Sequence, residues 1–339
     1  MSNASRLAET AGMLVAPKQG ILAADESTPT IGKRFAAINV DSTAESRIGY
    51  RDCLFSTTGL SEFISGVILF DETLRQESRS GLSVPEALLQ AGILPGIKVD
   101  TGAKELAGCP GEKVTEGLDG LRDRLVEYAG MGARFAKWRA VITIGEGLPS
   151  DACVSVNAHG LARYAALCIE NGLVPIVEPE VLMDGSHTIE TCYEVSHRAL
   201  TAVFAELQQQ QVPVEQILLK PNMVLSGKDC PEQADVHTVA SETIRCLRET
   251  VPAAMPGVVF LSGGQSDELA TAHLNEMNRI GDIPWQLSFS YGRALQAPAL
   301  AAWGGEESNE GAAQAALLKR ARLNGLARSG DYSEDLEAA

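Results

Sequence analysis

No two of the seven cysteines are spaced as CxxC, and none of the five histidines falls in an HxH or HExxH pattern. Zinc sites built on those spacings are thereby set aside, and no metal site is expected. An odd cysteine count at wide spacing fits a reducing compartment better than a disulfide framework. The N-terminus has no charged start leading into an apolar core, so it reads as neither a signal peptide nor an Arg-rich transit peptide. A cytoplasmic location is the simplest expectation, with a plastid stroma compatible if a presequence had been removed. No apolar run approaches the ~20 residues that a membrane helix needs. Basic residues are few, 28 Lys and Arg against 44 Asp and Glu, giving a formal net charge of −16. That excess disfavours nucleic acid and anionic membranes as partners. An anionic ligand would need a local basic site set against a repulsive field. No GxGxxG follows an early strand, which counts against a dinucleotide fold.

What is present is a large apolar fraction, 45% of 339 residues, in short recurrent runs. Eight of them stand out: 20–25 (GILAAD), 63–70 (FISGVILF), 92–100 (GILPGIKVD), 133–141 (ARFAKWRAV), 173–181 (LVPIVEPEV), 216–224 (QILLKPNMV), 258–264 (VVFLSGG) and 286–294 (QLSFSYGRA). They start roughly 30 to 43 residues apart, the length of a strand, a helix and their loops. The intervals 118–130, 158–171, 187–210, 235–250 and 266–280 read as amphipathic helices. Eight strands alternating with helices predict a closed parallel (β/α)8 barrel of the α/β class, a TIM barrel, over residues 1–328 as one domain. Residues 329–339 (SGDYSEDLEAA) are acidic and poor in apolar side chains, so a mobile tail is expected.

Barrel enzymes carry their chemistry at the carboxyl ends of the strands. Six of the eight runs bear charge there: Asp25 with Glu26, Lys98 with Asp100, Lys137 with Arg139, Glu178 with Glu180, Lys220, and Arg293. Residues two apart on a strand share a face, so each pair can point inward together. One buried pair can be a structural ion pair, but an apolar barrel would be cheaper to build than one with so many inward charges. Lys220 ends a buried apolar strand just before Pro221, which cannot donate to a sheet ladder. An amine in that position tends to shed its proton and can then attack a carbonyl. A lysine snorkelling to the surface is the alternative. Ser262-Gly263-Gly264 and Ser290-Tyr291-Gly292-Arg293 fall after runs seven and eight, where barrels hold phosphate. Ser27, Thr30, Lys33 and Arg34 form a second hydroxyl-plus-basic cluster, readable as another phosphate grip or as a solvated helix start.

Seven motifs in register, GILAADES (20–27), IKVD (97–100), FAKWR (135–139), LVPIVEPE (173–180), LLKPNMV (218–224), FLSGGQS (260–266) and SFSYGRALQ (288–296), resemble the class I, Schiff-base fructose-bisphosphate aldolases. The resemblance runs over roughly residues 5 to 328. It implies a TIM barrel, a homotetramer, no cofactor or metal, and reversible cleavage of fructose 1,6-bisphosphate to dihydroxyacetone phosphate and glyceraldehyde 3-phosphate, in glycolysis, gluconeogenesis or the Calvin cycle. Lys220 then resembles the Schiff-base lysine, Glu178 the acid/base for carbinolamine dehydration, and Asp25 the carboxylate that takes the C4 hydroxyl proton. Glu180 accompanies them. Lys137 resembles the second lysine, whose like charge favours a neutral neighbour. Arg139 and Lys98 resemble positioning residues. Ser262, Gly263, Gly264, Ser290, Gly292 and Arg293 match the 1-phosphate positions. Ser27, Thr30, Lys33 and Arg34 match the 6-phosphate region, with Arg47 a looser match.

The sequence departs from the pattern in places. Many members end in a tyrosine on a mobile arm that assists proton exchange at the enamine. Here the chain ends DLEAA, and Tyr332 matches an upstream tyrosine, so slower enamine protonation is expected. Thr101 and Thr143 stand where many relatives have lysine. Two rivals remain open: a lysine aldolase acting on another ketose such as sedoheptulose 1,7-bisphosphate, and a non-catalytic sugar-phosphate-binding scaffold.

Overall fold

A computed structural model describes residues 2–338. In chain order the elements are α1 (Asn3–Leu14), β1 (Gly20–Ala24), α2 (Thr28–Ala36), α3 (Ala44–Phe55), β2 (Ile64–Leu69), α4 (Asp71–Leu74), α5 (Val84–Gln90) and β3 (Leu94–Lys98). There follow β4 (Gly102–Glu105), β5 (Lys113–Glu116), α6 (Leu121–Gly130), β6 (Phe135–Ile142), α7 (Asp151–Glu170), β7 (Val174–Val181), α8 (Ile189–Gln209), β8 (Leu218–Leu219) and α9 (Val236–Thr250). The chain ends with β9 (Gly257–Phe260), α10 (Asp267–Ile280), β10 (Gln286–Tyr291), α11 (Arg293–Trp303) and α12 (Glu310–Ala327).

Eight strands close in the order β1-β10-β9-β8-β7-β6-β3-β2, with every neighbour parallel. Each falls within one of the eight apolar runs, overrunning it by at most one residue at an end. The antiparallel hairpin β4–β5 lies outside the barrel. It lies between the third run and the helix expected at 118–130, in a stretch for which the sequence pattern predicts no strand. β8 is the shortest strand because Pro221 ends it; Lys220 still donates its N–H to Val177 O at 2.8 Å.

Alternation inside the barrel sorts the side chains by height. On β7, Val174 and Ile176 lie low in an apolar cluster, while Glu178 and Glu180 face the cavity above. β6 runs Phe135, Lys137, Arg139 and β8 runs Leu218, Lys220 on the same parity. The lower end is stoppered by α1, whose Leu7, Ala11 and Leu14 join Ile21, Ile68 and Phe135. Phe135 fits only because its neighbours are glycines. A Cβ on Gly96 would sit 2.3 Å from the Phe135 ring, and one on Gly66 would sit 2.8 Å from Leu14 Cδ2. Gly96→Ala is therefore expected to destabilise the protein by about 2 kcal/mol or more. An unfolding midpoint in urea equal to the parent's would contradict this.

Residues 329–338, expected from composition as a mobile tail, lie against the barrel in the structure. Tyr332 is buried and donates its backbone N–H to Asn275 Oδ1 at 3.0 Å. Arg320 Nη1 meets both Glu337 oxygens at 2.5 and 2.7 Å. Ala339 and Met1 lie outside the described residues.

Candidate active site

The β7–β8 register pairs Ile176 with Leu218, so two residues higher Glu178 comes beside Lys220. The Lys220 amine is buried, with Nζ 3.3 Å from Glu178 Oε1. Across the barrel Lys137 Nζ lies 2.6 Å from Asp25 Oδ2 and 3.4 Å from Glu178 Oε2. That last contact has no hydrogen-bond geometry, and Glu178 Oε2 is otherwise without a partner. Arg139 Nε pairs with Glu180, and Lys98 Nζ with Asp100 at 2.5 Å. Asp100 also accepts from the Arg139 N–H at 3.3 Å, which ties β3 to β6. All of these but Asp100 line a cavity of about 280 Å³, together with Ser27, Thr30, Arg34, Ser262, Gly263, Ser290 and Gly292.

Four cations (Lys98, Lys137, Arg139, Lys220) thus face four carboxylates (Asp25, Asp100, Glu178, Glu180). Burial pushes the Asp25 carboxyl up, but the charges of Lys137 and Lys220 outweigh it and hold Asp25 well below the usual carboxylate range. Glu178 behaves likewise: burial raises it, and Lys220, Lys137 and Arg139 bring it below its ordinary value. Burial disfavours the Lys137 ammonium, yet Asp25 and Glu178 keep it protonated well past the ordinary lysine range. Beside its likeness to a second lysine near Lys220, Lys137 has its charge answered by two carboxylates, and that charge favours the ionised forms of Asp25 and Glu178.

With the charges balanced, an anionic substrate has to be gripped elsewhere. The Ser290 hydroxyl is buried and has no protein partner. Gly263 and Gly264 turn the chain there with φ of 45° and 88°. Gly292 opens α11 with no side-chain cap, leaving first-turn N–H groups free. Oriented N–H donors, an unpartnered hydroxyl and two glycines that bring backbone close are groups that can hold an anion such as phosphate. Gly264 and Arg293 stand just behind the lining: Arg293 Nη2 donates to Gln265 O at 3.2 Å, and it would lie 3.7 Å from a Cβ on Gly264.

The first-strand cluster divides. Ser27 and Thr30 share a hydrogen bond at 3.1 Å, and Arg34 reaches the cavity from α2. Lys33 is not among the lining residues. Arg47 is not either, because Glu72 binds it through Nε at 2.8 Å and Nη2 at 2.5 Å and Ser42 O takes Nη1. The loose match of Arg47 to a phosphate ligand therefore has no support in its geometry. Glu26, a strand-end charge to which the sequence assigns no role, lines the cavity as well. Its carboxylate accepts from Arg34 at 2.6 Å and from Gln296 at 2.8 Å.

Behind the glycine turn, His273 on α10 is buried, with Nδ1 2.6 Å from Gln265 Oε1. Burial pulls the imidazole down to about 4. An unfolded histidine takes its proton near ~6.5, so the unfolded chain binds it first as pH falls. His273 thus contributes stability that is full above about pH 6.5 and is lost toward pH 4, amounting to about 3 kcal/mol. His273→Gln is expected to flatten melting temperature against pH in that window. Parallel curves for parent and variant would contradict the assignment.

The sequence pattern of the family described as Glycolytic, fructose-bisphosphate aldolase class-I, matches residues 6–339. A probable fructose-bisphosphate aldolase class 1 of Xanthomonas axonopodis pv. citri is 58% identical over 328 residues, 96% of this chain and 98% of that protein. Fructose-bisphosphate aldolase 1 of Toxoplasma gondii is 56% identical, over 97% of this chain and 91% of its own. Among solved structures, fructose-bisphosphate aldolase from Plasmodium falciparum, in complex with TRAP and a small molecule inhibitor, superposes with a TM-score of 0.96 at 51% identity. The match covers 98% of this chain and 96% of that one. With the barrel, the buried lysine and the family pattern in agreement, the chain belongs to the class-I fructose-bisphosphate aldolases.

Proposed function

We propose that Lys220, Glu178 and Asp25 divide the steps of the aldol cleavage of fructose 1,6-bisphosphate that the family performs. Lys220 passes a proton to Glu178, 3.3 Å away, and the freed amine adds to the C2 carbonyl to give a carbinolamine. Glu178, having taken a proton, returns it to the departing hydroxyl, and water leaves an iminium. Asp25 takes the C4 hydroxyl proton. The C3–C4 bond breaks, its electron pair flows into the iminium to form an enamine, and glyceraldehyde 3-phosphate departs. Protonation at C3 and hydrolysis of the iminium release dihydroxyacetone phosphate and restore Lys220. The observation that carries this reading is the buried Lys220 amine 3.3 Å from Glu178. The cradle of Gly263, Ser290 and Gly292 receives the 1-phosphate, and Ser27, Thr30 and Arg34 the 6-phosphate; gripping both ends sets the scissile bond between the acid/base groups.

Each carboxylate of the site faces a lysine or arginine, so none is left for a cation. Protein freed of metal with EDTA is expected to convert fructose 1,6-bisphosphate to the two triose phosphates at its full rate, read in a coupled assay. Strong loss with EDTA, restored by a divalent cation, would overturn the lysine mechanism.

The same reading extends to a homotetramer in the cytoplasm. No helix of the described residues is long and apolar enough to cross a membrane. A 53% identical relative from Arabidopsis thaliana is named fructose-bisphosphate aldolase 4, cytosolic.

A further inference from the structure

Asp25 stands one residue beyond the end of β1, whose last pairing is Ala24 with Leu69. The sheet ladder therefore does not hold it, and a group that must accept a proton at a fixed place needs another support. Two buried side chains from different helices supply one. Arg51 on α3, 1% exposed, donates from Nη2 to the Glu26 carbonyl at 2.7 Å and from Nη1 to Thr73 Oγ1 at 2.5 Å. Gln296 on α11, equally buried, donates from Nε2 to the Ala23 carbonyl at 2.6 Å and to Glu26 Oε1 at 2.8 Å. The backbone is thus held at Ala23 and Glu26, on both sides of Asp25. The Glu26 carboxylate that Gln296 fixes is the one that accepts from Arg34 at 2.6 Å.

The charges confirm that Arg51 is placed for its forked donors. Its ion pairs are long and carry no hydrogen bond, Glu72 Oε2 at 3.8 Å and Glu26 Oε2 at 4.0 Å, and Glu72 is already engaged by Arg47. A fully buried guanidinium with no carboxylate in hydrogen-bond contact is costly, and a core built only for stability would hold an apolar side chain there. The two hydrogen bonds that it makes go to the cavity segment and to the residue beside Glu72, and a lysine's single ammonium cannot reproduce the planar fork.

We propose that Arg51 and Gln296 are positioning residues that clamp the Asp25–Glu26–Ser27 segment, and so set the Asp25 carboxylate and the Arg34 guanidinium for cleavage of the C3–C4 bond. The inference rests on the reading of Asp25 as the base for the C4 hydroxyl. The clamp lies away from Lys220 and Glu178, so it serves bond cleavage and leaves Schiff-base formation alone.

The test separates those two steps. In Arg51→Lys and in Gln296→Met, borohydride trapping of dihydroxyacetone phosphate on the protein is expected at the parent's rate. Cleavage of fructose 1,6-bisphosphate is expected to fall by about 10- to 100-fold in kcat, the scale of a catalytic group displaced by about an ångström. Gln296→Met carries the test if the buried Arg51 variant does not fold. Cleavage at the parental rate in both, or trapping and cleavage falling in parallel, would overturn the clamp. Asp25→Asn, measured alongside, tells this apart from failure of the underlying reading: if that variant still cleaves at the parental rate, the role of Asp25 itself is wrong.

Discussion

Lys220→Met lowers cleavage of fructose 1,6-bisphosphate by on the order of 10⁵-fold or more, the scale on which losing a covalent nucleophile is felt. Methionine matches the length and burial of the lysine, so the barrel is expected to fold. The substitution removes one of the four cations of the site, and Glu178 keeps Lys137 at 3.4 Å as its remaining partner. No other lysine can take over, because Lys137 is held by Asp25 at 2.6 Å and Lys98 by Asp100 at 2.5 Å. Substrate affinity should change little, since the phosphate grips do not touch Lys220. Circular dichroism and steady-state kinetics check both halves; appreciable turnover in a folded variant would move the nucleophile elsewhere.

Glu178→Gln lowers kcat by about 10³-fold, within the range for a lost general acid/base. Glutamine fills the space and leaves hydrogen-bonding groups beside Lys220, but it can neither take nor return a proton at neutral pH. The loss should fall on Schiff-base formation as well as on cleavage, because Glu178 faces the Lys220 amine. Asp25→Asn should behave differently, cleaving slowly while still trapping dihydroxyacetone phosphate. Burst kinetics and borohydride trapping in the two variants read this contrast. Equal trapping rates in parent and Glu178→Gln would contradict the assignment of Glu178 to dehydration.

The barrel was legible because its strands are buried on both faces and read as continuous apolar runs at βα spacing, down to Pro221 ending the sixth of them. Charged pairs two apart on such runs announced the site, since Lys137 with Arg139 and Glu178 with Glu180 share the inward parity. Less visible were elements whose signal is weak or non-local. The stopper α1 has an apolar stripe of only Leu7, Ala11 and Leu14, and the hairpin β4–β5 is half exposed with few β-branched residues. Arg47 and Arg51 lie one helical turn apart and look alike in sequence. Which one serves the cavity is decided by Glu72 and by the Glu26 carbonyl, contacts that no local pattern encodes. The acidic C-terminal residues read as solvated because Arg320 and Asn275, which receive them, lie far away in the chain.

Covalent capture of the substrate by one lysine is the claim on which the rest depends. Incubating the protein with dihydroxyacetone phosphate and borohydride, then mapping the modified peptide by mass spectrometry, tests it directly. One reduced adduct per chain, on Lys220 and absent from Lys220→Met, is the predicted result. No adduct, or an adduct on Lys137 or Lys98 with Lys220 unmodified, would contradict it.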